Sequence, residues 1–160
     1  MSVLPGPRER LLALSDVVLR EVARLRSTDA RLFTHPFDEA RVATLDADLD
    51  LAERVDAFVA RFGRLQDTVG DKLLPRLLGE LAEPVGPVID NLVRAERLGW
   101  LQDVEQWLAM RRLRNLMVHE YVGKAAELAA ALRAGHDFVP GLCATAEALV
   151  AETKRRYAST

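Results

Sequence analysis

Cysteine is almost missing from this chain. Cys143 stands alone, so no internal disulfide can form, and with no Cys/His cluster near it a structural zinc site lacks ligands. That economy fits a reducing compartment, and a cytoplasmic location is expected. No stretch of 18 apolar residues occurs, and the N-terminus carries no basic segment leading into an apolar core. Neither a membrane span nor a secretory leader is therefore expected. Strand-like alternation, internal repeats and glycine-rich phosphate loops are also lacking. Lysine is scarce, three against nineteen arginines, which reflects coding bias and assigns no function. The formal charge of −2 and pI near 5.9 exclude a global basic field, so any contact with nucleic acid has to be local.

What is present is apolar residue at helical spacing. With 160 residues and 49% hydrophobic content the chain fills one core, so residues 1–160 are expected to form a single domain, with residues 1–7 as a short disordered lead. Leu11, Leu14, Val18, Val22 and Leu25 recur at three- and four-residue steps and predict a helix over 8–27. His35 before Pro36 reads as a loop residue. Leu45, Leu49, Ala52, Val55, Phe58, Phe62, Leu65, Val69 and Leu73 hold one stripe, as in a long bundle helix that Pro75 should kink or end. On it, Gly63 and Gly70 lie seven apart and predict close approach of another helix. A third helix over 86–98 should stop at Gly99, Asp103 should cap a fourth, and a fifth should run from about 124 to 133. Residues 135–137 with Pro140 should then separate a last helix ending near 156. The fold class expected is all-α, an up-and-down bundle of five or six helices.

The fourth helix carries Arg114, Asn115, His119 and Tyr121 within eight residues. A permanently charged guanidinium holds a phosphate, and an imidazole titrating near neutrality moves protons, so the set suits phosphodiester chemistry without a metal. The Arg-x4-His-x-Tyr spacing is expected roughly 0.005 times in a shuffled chain of this composition. A structural reading competes: a histidine near a helix C-terminus favours the negative end of the macrodipole, and a tyrosine after it can close the core. Further arginines, Arg111 and Arg112 with Arg94 and Arg97, supply a candidate local basic patch. Asp67 and Asp71 share a face, most simply as solvated or capping groups. Trp100 and Trp107 are expected in the core, and His136 as a loop or cap histidine.

Residues 114–121, late in a wholly helical chain, resemble the motif of the HEPN superfamily, specifically the HepT-like toxins. Gly70-Asp71-Lys72-Leu73-Leu74-Pro75, Leu98-Gly99-Trp100 and Glu105-Gln106-Trp107-Leu108 look like the same branch. The resemblance spans roughly residues 8 to 155, with only 114–121 highly specific. It implies a homodimeric, metal-independent endoribonuclease with no cofactor, and it assigns catalysis to Arg114 and His119. It further implies a nucleotidyltransferase antitoxin of the minimal (MNT) type that places AMP on Tyr121, in a type VII-like toxin–antitoxin system. Supporting roles fall to Asn115 and to a polar residue of the long helix, for which Asp71 is the candidate.

On a straight helix Arg114 and His119 diverge by about 140°. Either the helix must end so that His119 turns back, or a second protomer must complete the site. Two other classes compete with the toxin: a non-catalytic helical partner that presents substrate to a minimal nucleotidyltransferase, and a helical scaffold with no active site.

Overall fold

A glycine–proline pair starts the first helix. Gly6 is its N-cap, its N–H donating to the Glu9 carboxylate at 3.1 Å, and Pro7 occupies the first helical position, where no donor is needed. Pro7 is thus helical, where the sequence placed it in a disordered lead over 1–7. The computed structural model describes residues 3–119 and 124–158, excluding the side chains of Val118 and His119. Its elements are α1 (Pro7–Leu32), α2 (Glu39–Ala43), α3 (Leu49–Asp67), a π-helical stretch (Thr68–Leu73), α4 (Leu74–Glu80), α5 (Val88–Arg97), α6 (Val104–His119) and α7 (Ala125–Tyr157). Counting α3, the π stretch and α4 as one rod gives six helices among the described residues, and no strand. None is long and apolar enough to cross a membrane.

Four helices form the bundle, each antiparallel to its neighbours. Ion pairs from Asp16 to Lys154, Arg26 to Glu147 and Asp29 to His136 align α1 against α7. Thr68 reaches Glu21 and Arg61 reaches Thr28, which aligns α3 and the π stretch against α1. Gly63 meets Arg114, and Gly70 meets Trp107, so α6 runs along the opposite side of α3; Gly141 against Gln106 closes the ring at α7. Phe58 and Phe62, stacked at 5.8 Å, lie at the centre with Leu11, Leu25, Leu65 and Trp107. This is the up-and-down geometry expected of a bundle with short connections. Trp100 and Trp107 are both buried, as expected.

Pro75 neither ends nor breaks the long rod. The Leu74 N–H bonds to the Val69 carbonyl, five residues back, so the π stretch absorbs the mismatch and Pro75 enters α4 in its first turn, where its missing N–H costs nothing. The break expected at 135–140 does not occur either. α7 continues through Pro140 as one helix of 33 residues. A helix-interior proline costs about 3 kcal/mol. Leu132 and Val139 before it, and Leu142, Cys143, Ala146, Leu149 and Val150 after it, are buried, and each large side chain contributes roughly 1.5–3 kcal/mol. Packing on both flanks outweighs the local defect. Gly99 does stop α5, at φ 80°, with the Trp100 N–H closing on the Ala95 carbonyl at 2.9 Å.

Candidate functional site

Arg114 lies across the seam between α6 and α3. Its Nη1 donates to Asp67 Oδ1 at 2.9 Å and its Nη2 to Oδ2 at 2.8 Å, a bidentate pair at the last residue of α3. The site is half open: the arginine side chain is 30% exposed and the carboxylate 40%. At that exposure such a pair contributes about 0–1 kcal/mol to stability. Its effect is orientation. The carboxylate holds the guanidinium plane in one position at the protein surface, with its remaining N–H donors unengaged by any described residue.

Gly63 makes room for this arrangement. A Cβ on Gly63 would stand 2.8 Å from Arg114 Nε and 3.1 Å from its Cγ, so the arginine stem lies flat on α3 only because position 63 has no side chain. At Gly70 the Trp107 ring packs on the rod, but a Cβ added there would stand at an ordinary contact distance of 3.4 Å, so only Gly63 is required by its neighbour. The close approach expected from the glycine pair is thus accounted for by two named contacts on α6.

The carboxylate that meets Arg114 is that of Asp67; Asp71, the residue favoured from the sequence, is exposed. The two aspartates lie one turn apart on the rod, and the Arg114 side chain reaches across the seam to the earlier one. Asn115 sits exposed on α6 beside Arg114. The α6 backbone stays helical through His119, so the Cα positions of residues 114 and 119 lie about 140° apart around its axis. The His119 side chain and all of Tyr121 lie outside what the structure describes. Of the candidate basic patch, Arg111 lies on α6 one turn before Arg114, Arg112 is exposed on the far side of that helix, and Arg94 of α5 is paired with Glu83 at 3.1 Å.

The bundle interior adds two perturbed groups. Burial pushes the Glu21 carboxyl up from its ordinary value, while the Thr68 hydroxyl, Arg64, Lys72 and Arg24 pull it back. Its Oε1 accepts from Thr68 Oγ1 at 3.1 Å, but Oε2 is buried without a partner. Burial likewise raises the Cys143 thiol to about 11, which leaves it protonated and unreactive at neutral pH. His136 is no loop residue. It sits within α7, 2.7 Å from Asp29 and stacked at 4.2 Å on Phe33, so it ties α7 to α1. Neither partner is near it in sequence, which is why the pattern gave no warning. Asp67 and Gly63 were legible only as spacing, four residues apart on the face that also carries Gly70.

Compared with family models, curated proteins and solved structures, the chain finds no match.

Proposed function

We propose that this chain is a metal-independent endoribonuclease, the toxin of a type VII-like toxin–antitoxin pair. The observation that carries the reading is the Arg114 guanidinium, held bidentately by Asp67 at an open surface, on the same helix as His119 and inside the Arg-x4-His-x-Tyr spacing. In the reaction, an imidazole takes the proton from the RNA 2′-hydroxyl, the 2′-oxygen attacks phosphorus, and the bond to the 5′-oxygen breaks as that oxygen is protonated. The products carry a 2′,3′-cyclic phosphate and a 5′-hydroxyl. Arg114 stabilises the charge that develops on the phosphate in flight. Asn115 orients the ring or a phosphate oxygen.

Because the α6 backbone stays helical through His119, residues 114 and 119 of one protomer sit about 140° apart around the helix axis. A homodimer answers this by bringing two copies of the segment into one cleft, and two imidazoles then divide the base and acid roles. Neutralisation follows from a nucleotidyltransferase antitoxin that transfers AMP from ATP to the Tyr121 oxygen with release of pyrophosphate. The added phosphodiester occupies Arg114 and excludes an RNA phosphate.

The competing reading is a non-catalytic partner of such a nucleotidyltransferase. It is favoured by the fact that Asp67 already satisfies one edge of the Arg114 guanidinium. Incubation of the purified chain with RNA in the presence of EDTA separates the two: cleavage leaving 2′,3′-cyclic phosphate ends supports the toxin, and intact RNA supports the partner.

A further inference from the structure

A run of cations without a carboxylate partner among the described residues lies away from the Arg114 seam, on the adjoining side of the bundle. Arg24 and Arg31 of α1 face Arg54, Arg61 and Arg64 of α3 and Lys72 of the π stretch across the furrow between those rods. All but Arg61 are exposed, and among the described residues none of the six has a carboxylate within ion-pair distance. Glu21, Asp50 and Glu53 lie among them, and Asp71, exposed beside Lys72, adds a fourth carboxylate against the six cations. A chain of net charge −2 has thus gathered a positive surplus on one face.

The furrow is built rather than incidental. Arg61 is pinned at its floor, bonded to the Thr28 hydroxyl and to the Arg24 carbonyl. A cavity of about 240 Å³ opens beside it, between Thr28 and Arg31 on one wall and Arg54 and Ala57 on the other. From Arg54 to Lys72 the cations span about 27 Å along the rod, at the helical rise of each residue. Packed helices stand about 8–10 Å apart axis to axis, so the cations of the two rods form one narrow line along the surface, which matches a single phosphodiester backbone. No aromatic side chain lines the cavity, so the grip is on backbone phosphate and is indifferent to base sequence. Arg64 sits one turn before Asp67, the residue that holds Arg114, so a strand leaving the furrow over α3 arrives at the candidate site.

We propose that the α1/α3 furrow is a phosphate track that binds the backbone of single-stranded RNA and leads it over α3 to Arg114. The choice of RNA as the polyanion rests on the ribonuclease reading; the track itself rests on the line of cations and the cavity beside Arg61.

The test uses a fluorescein-labelled, fully 2′-O-methylated single strand, which binds but cannot be cut because the attacking hydroxyl is blocked. Anisotropy titrations over a range of salt compare the wild type with Arg31→Gln/Arg54→Gln/Arg64→Gln/Lys72→Gln. A control with equal charge loss elsewhere is Arg8→Gln/Arg10→Gln/Arg155→Gln/Arg156→Gln, and circular dichroism verifies that both keep the helical fold. The furrow variant should bind at least about tenfold more weakly at low salt and lose about 3 from the log–log salt slope, while the control keeps both. Equal losses in the two variants, wild-type binding by the furrow variant, or tighter binding of a duplex would each overturn the track. So would failure of the wild type to bind the strand while it binds polyglutamate, which would make the furrow a protein-docking surface. Furrow-dependent binding by a chain that cuts no RNA would remove the ribonuclease reading and keep the track. RNA cleavage with unchanged binding in the furrow variant would do the reverse.

Discussion

Gly63 lies directly beneath Arg114: a Cβ added there would meet the arginine Nε at 2.8 Å. The atom it would strike belongs to a flexible side chain, so Gly63→Ala should displace the guanidinium and spare the backbone. Alanine also favours the helix by about 1 kcal/mol. Thermal stability should therefore be retained or rise while RNA cleavage falls at least about tenfold, because a misplaced cation no longer meets the transition-state phosphate. Loss of stability together with activity would mean that Gly63 serves packing alone.

Asp67→Asn should separate orientation from folding. The pair is worth about 0–1 kcal/mol at this exposure, so the unfolding temperature should shift by only a few degrees, whereas kcat for RNA should drop about tenfold as Arg114 loses its fixed plane. An unchanged kcat would assign Asp67 a purely solvated role.

His136 offers the opposite pattern. Its contacts with Asp29 and Phe33 bridge α1 and α7, so His136→Ala should lower stability by about 1–2 kcal/mol, read as a shifted urea midpoint. Cleavage per folded molecule should be unchanged. A loss of activity without loss of stability would move this histidine into the chemistry.

How much of this was legible beforehand follows from where each signal sits. Leu11, Val18, Val22 and Leu25, and on the long rod Val55, Phe58, Phe62, Leu65, Val69 and Leu73, all lie in the core, because periodicity over many residues reports burial directly. Leu49, read as part of that stripe, is 69% exposed, since the helix begins only there, behind its Asp48 cap. Local rules failed at the prolines. Pro75 and Pro140 are both helical because tertiary packing and a π turn, neither visible as spacing, absorb their cost. At the site the glycine pair was legible as a close approach, and the motif as a spacing. The choice of Asp67 over Asp71 was not, because it depends on the level at which α6 packs along the rod, which spacing within one helix does not report.

Glu21 gives a pH-dependent signature. Its carboxyl is raised on folding by burial, so the ionised form is disfavoured in the native state. The resulting penalty is absent below the unfolded value of 4.5, grows as pH rises, and is complete above the folded value. Glu21→Gln keeps an acceptor for Thr68 and removes the charge. The variant should unfold at a higher temperature than the wild type at pH 7 and lose that advantage at pH 4. An advantage that persists at pH 4 would place the effect in packing instead.

The most direct measurement is the rate of RNA cleavage by the wild type, Arg114→Ala and His119→Ala, side by side in EDTA, with circular dichroism to verify the fold. The wild type should cut RNA and leave 2′,3′-cyclic phosphate ends, and each variant should be slower by about a hundredfold or more while remaining helical. Wild-type rates from either variant, or no cleavage by the wild type, would contradict the account.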